Sequence, residues 1–75
     1  MMTYEEWLRS TDFGLRRRYK VKDIVVDNEG LHIAFTNNFN YWTSVGNLKT
    51  LWKMDGFIEL CNDIEREFMC QIMNV

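Results

Sequence analysis

Residues Tyr19 to Thr36 read YKVKDIVVDNEGLHIAFT, and this stretch decides the fold. From Tyr19 to Val26 the residues are β-branched or aromatic with charges between them, and from Leu31 to Thr36 apolar and polar positions alternate, so both halves predict strands. Between them stand Asp27, Asn28, Glu29 and Gly30. Asp and Asn close a tight turn through their own side chains, and Gly30 tolerates positive φ before the return strand. A β-hairpin is therefore expected.

Working outward on the C-terminal side, Leu31, Ile33 and Phe35 share one face of the return strand, with His32 on the other. Phe39 and Tyr41 continue the apolar parity if the chain stays extended past Asn37. Against that, Asn37, Asn38 and Asn40 favour side-chain to backbone bonds over ladder pairing and predict a turn after Thr36. Whether Phe39 to Thr43 returns to the sheet as a third strand is left open by the sequence.

After Ser44, Leu48, Leu51 and Trp52 have helical spacing, and Asp55 is placed to cap a further helix. That helix carries Phe57, Leu60, Cys61, Ile64, Phe68 and Ile72 on one side, and Ile58, Met69 and Ile72 widen the apolar arc. On the N-terminal side, Thr3 with Glu6 forms a capping box. It opens a helix from about Tyr4 to Ser10, striped by Tyr4, Trp7 and Leu8. Thr11, Asp12, Phe13 and Gly14 then read as a connection, with Gly14 as the helix terminator. The pattern α-β-β-α-α implies one α+β domain over residues 1–75, in which two or three antiparallel strands are covered by helices.

At 75 residues, a single core supplies only about 3–5 kcal/mol, and small domains lean on disulfides, metals or partners. Cys61 and Cys70 are the only cysteines and His32 the only histidine, which disfavours a disulfide scaffold or a zinc module. An apolar fraction of 47% is too high for disorder. No secretory leader and no apolar run long enough to span a membrane is present, so a soluble, cytoplasmic domain is expected. The chain carries no P-loop, dinucleotide fingerprint or EF-hand loop, and no cofactor is expected. Catalysis is disfavoured too, because His32 lies on the polar parity of its strand with no nucleophile placed beside it.

Three surface features remain. Asp55, Glu59, Asp63 and Glu67 recur at every fourth residue and predict an acidic ridge on the last helix, opposite its apolar stripe. Like charges at this spacing repel by a few tenths of a kcal/mol per pair, so a basic surface laid against them is favourable. Phe39, Tyr41 and Trp42 form an aromatic segment that either covers the core or anchors a partner. Arg16, Arg17, Arg18, Lys20 and Lys22 form a basic cluster. From Arg9 to Lys22, six basic residues stand against Asp12. The cluster either meets phosphate or is neutralised by the acidic helix of the same molecule.

The whole chain has a formal charge of −2, whereas nucleic-acid modules are more often basic in total. The leading expectation is thus a non-enzymatic protein-binding inhibitor or regulator of a macromolecular complex, acting by steric occlusion or nucleic-acid mimicry. The acidic ridge and aromatic segment are its candidate contacts. Seven asparagines, no proline and segregated charge fit the style of small phage or mobile-element proteins with anti-defence roles. The alternatives are a nucleic-acid-binding regulator using the basic cluster, dimerised through the C-terminal helix, and a structural subunit of a larger assembly.

Overall fold

The computed structural model describes residues 2–73, with side chains up to Cys70. Its hairpin forms where the sequence places it. β1 (Val21–Val26) pairs antiparallel with β2 (Gly30–Phe35), setting Val26 opposite Leu31 and Ile24 opposite Ile33. At the turn the Asp27 carboxylate accepts the amides of Glu29 (2.8 Å) and Gly30 (3.1 Å), and the Asp27 N–H donates to the Gly30 carbonyl. These bonds satisfy donors that two intervening residues would leave free. The register shifts between Val21 and Asp23, so Lys22 is the extra residue of a bulge.

Gly30 adopts φ 156°, and a Cβ there would lie 2.0 Å from the Thr43 carbonyl oxygen. The missing side chain thus lets a third strand approach, which positive φ alone did not disclose. That strand, β3 (Asn40–Ser44), pairs antiparallel with β2, giving the order β1-β2-β3. The turn expected after Thr36 and the third strand therefore both exist. Asn38 takes φ 71°, the Asn37 carboxamide oxygen accepts the Phe39 amide at 3.1 Å, and pairing resumes at Asn40.

α1 (Tyr4–Arg18) opens with the expected capping box: the Thr3 amide donates to Glu6 Oε1 and the Glu6 amide to Thr3 Oγ1. It does not stop at Ser10. The stripe of Tyr4, Trp7 and Leu8 continues through buried Thr11 and Leu15, and residues 11–14, expected as a connection, are helical. Gly14 serves packing instead of termination. A Cβ at that position would stand 2.8 Å from the Phe57 ring, so glycine admits the start of the last helix against α1.

α2 (Val45–Lys53) is capped by Ser44, whose hydroxyl accepts the Asn47 amide at 3.1 Å, and it buries Leu48 and Leu51. Its end corrects the expected role of Asp55. Asp55 has φ 53°, the Gly56 amide donates to the Leu51 carbonyl at 2.8 Å, and the Asp55 amide to that of Trp52 at 3.2 Å. This pattern is a Schellman closure with Asp55 in the left-handed position. Gly56 then opens α3 (Phe57–Met73), its carbonyl accepting the Leu60 amide at 3.0 Å.

Leu60, Cys61 and Ile64 of α3 are buried and Phe57 and Phe68 packed at the core's edge. The Ile72 and Met73 side chains lie outside the described residues. Leu31, Ile33, Phe35 and Tyr41 face Trp7, Leu15, Leu48 and the α3 stripe in one core, while His32 and Trp42 are exposed on the opposite side of the sheet. The result is two layers in α-β-β-β-α-α order, an α+β domain.

Candidate protein-binding surface

In antiparallel pairs, residues directly opposite one another emerge on one face of the sheet. The pairings Val25 with His32 and His32 with Trp42 therefore lay three residues in a row across β1, β2 and β3. All three are exposed, Trp42 to 58% and Val25 to 45%. The neighbouring row is Asp23, Ala34 and Asn40. This outer face is nearly uncharged and carries an indole at its edge.

The aromatic segment is thereby split. Phe39 and Tyr41 belong to the core: Phe39 stacks on Phe35 and meets Phe68 edge-on, with both ring centroids 5.3 Å away. The Tyr41 hydroxyl donates to Asp63 at 2.5 Å, and burial, followed by this bond, pushes the phenol well above its usual range. Trp42 alone is available to a partner. The sequence contained the signal, since alternation along Tyr41, Trp42 and Thr43 already separates the tryptophan from its neighbours.

The acidic ridge is not a uniform row either. A step of four residues advances about 40° around a helix, so from Glu59 to Glu67 the carboxylates wind towards β3, where Asp63 meets Tyr41 and also accepts Arg66 at 3.3 Å. Glu59 and Glu67 remain exposed, and Asp55 sits in the α2–α3 turn. The ridge thus starts at Glu59 opposite the apolar stripe and winds onto its flank at Asp63 and Glu67.

The basic cluster is partly spoken for. Arg16 pairs with Asp12 at 2.7 Å, Arg17 lies over the Phe13 ring at 5.6 Å, and Arg18 approaches Glu65 at 3.6 Å. Glu65, off the acidic ridge, is the α3 carboxylate that reaches this cluster, and it also accepts the Tyr19 hydroxyl. Burial and that bond raise the Tyr19 phenol. Lys20 and Lys22 are exposed and form no ion pair among the described residues.

Cys61 is buried, and burial pushes its thiol up, away from the reactive thiolate. Among the described residues no group of His, Cys, Asp and Glu side chains is arranged to hold a metal ion, and no helix is long and apolar enough to cross a membrane. A small apolar notch of about 200 Å³ opens between Tyr19, Phe35, Phe39 and Phe68. A larger groove of about 500 Å³ runs between α1 and β1 and is lined by Leu8, Phe13, Ile24 and Val26 with Arg9 and Arg16. Compared with known proteins, the chain matches no family model, no curated protein and no solved structure.

Proposed function

We propose that this chain is a non-enzymatic protein-binding inhibitor or regulator that works by steric occlusion, its contact centred on the outer face of the sheet. One observation carries the reading: Trp42 is 58% exposed in a row with His32 and Val25, on the face that no helix covers. A tryptophan held rigidly on a strand buries much area at low entropic cost, which is why this residue dominates binding hot spots.

Occlusion is favoured over nucleic-acid mimicry because Asp63 already accepts bonds from Tyr41 and Arg66. Glu59 and Glu67 are left about 12 Å apart along the helix, a sparse imitation of a phosphate row. A nucleic-acid partner would rely mainly on Arg17, Lys20 and Lys22, since Arg16 and Arg18 have carboxylate partners. Association of copies through α3 would use Ile58 and Met69, both exposed on one flank.

The test is affinity capture with the tagged protein, with and without nuclease, comparing wild type with Trp42→Ala and with Glu59→Lys/Glu67→Lys. A protein complex that survives nuclease and is lost with Trp42→Ala is the expected result. Recovery that disappears on nuclease treatment would transfer the reading to the basic cluster, and capture unaffected by Trp42→Ala would discard the outer face.

A further inference from the structure

We infer that the free edge of β1, together with the α1–β1 groove, binds an extended acidic and apolar segment of a partner protein by strand addition. This deepens the protein-binding reading and rests on it. β1 is an edge strand. Its Asp27 amide bonds to Gly30 across the hairpin, and hydrogen-bonding pairs alternate along an antiparallel ladder. Val25 and Asp23 therefore also bond towards β2, which leaves the N–H and C=O groups of Ile24 and Val26 turned outward.

The same two residues put their side chains on the helix side, in the groove with Leu8 and Phe13. Phe13 is 64% exposed and Val26 42%, so the groove presents two large apolar side chains to solvent. Edge strands are usually protected by charges, bulges or a covering element. Here the bulge and Lys22 protect only the beginning of the strand, and the stretch from Ile24 to Val26 is left apolar on both faces. An added strand would satisfy the backbone and place alternate side chains over Ile24 and Val26.

Charge selects the occupant. The α1 rim of the groove carries Arg9, Asp12 and Arg16; Asp12 and Arg16 pair with each other at 2.7 Å, so Arg9 leaves the rim with a net positive charge. Carboxylates on the incoming segment complete this rim, whereas a second copy pairing β1 to β1 would bring two arginine rims together.

The experiment is selection of binders from a display library of randomised peptides on the intact protein. Enriched peptides are then titrated against wild type, Val26→Pro, Arg9→Glu and Trp42→Ala, with amide exchange followed by NMR. Proline at 26 removes an outward donor and leaves the β1–β2 ladder intact, and Arg9→Glu, at an exposed site, serves if that variant does not fold. The expected result is enrichment of acidic peptides with alternating apolar residues, slowed exchange at Ile24 and Val26, and binding at least about tenfold weaker in Val26→Pro and Arg9→Glu. Binding lost in Trp42→Ala but kept in the other two overturns the edge site and leaves the outer face standing. Binding kept in all three, or no enriched peptide, overturns the inference, as does a concentration-dependent dimer that Val26→Pro dissolves.

Discussion

Gly30 and Tyr41 hold opposite ends of one problem, the attachment of β3. At Gly30 the Thr43 carbonyl occupies the space a Cβ would need, with φ at 156°. Gly30→Ala combines a backbone clash with a strained dihedral and is expected to cost about 3 kcal/mol or more, read as a lower urea midpoint. Tyr41 fastens the strand to α3 through Asp63. Tyr41→Phe is expected to cost about 1 kcal/mol at neutral pH. The folded phenol is raised above the ordinary value near 10; above about pH 10 the unfolded chain therefore releases this proton while the folded one retains it. Stability present below that pH is lost as pH rises, and the gap between wild type and Tyr41→Phe should narrow between neutral and alkaline unfolding curves.

At the scale of elements, α1 shows how a glycine misleads. Gly14 stands after a polar stretch and reads as a terminator, yet the helix continues because Thr11 and Leu15 extend its buried stripe and the Phe57 ring fills the glycine's place. A Leu15→Ala variant discriminates between the two readings. In an exposed connection the change would cost little, whereas for a fully buried side chain about 2–5 kcal/mol is expected, enough to unfold much of so small a domain in a circular-dichroism melt. Thr3→Ala removes the capping box and should cost about 1 kcal/mol, lowering Tm by about 4–8 °C. The start of α2 after Ser44 was legible in the spacing of Leu48, Leu51 and Trp52, but the capping role of Ser44 and the junction at the end of the helix were not. Asp55 is a good N-cap residue and also tolerates the left-handed conformation, and the packing of Leu51 beside Gly56 selects the second role.

For the whole molecule, the two charged regions are neither fully paired nor fully free. Arg18 and Tyr19 converge on Glu65 while Glu59 and Glu67 face solvent, so the domain keeps a residual charge asymmetry. Trp42→Ala, on the uncovered face, should change stability by no more than about 0.5 kcal/mol and still remove partner binding, a separation that urea melts and affinity capture measure together.

By itself the sequence determined the hairpin, the capping box of α1 and the apolar stripe of the last helix, because each rests on side chains a few residues apart satisfying backbone groups or sharing one face. Tertiary packing settled that Gly30 admits β3, that Gly14 admits Phe57, that Asp63 turns to Tyr41, and that the β1 edge remains uncovered. Those outcomes depend on what packs from distant parts of the chain, and local spacing holds no record of it.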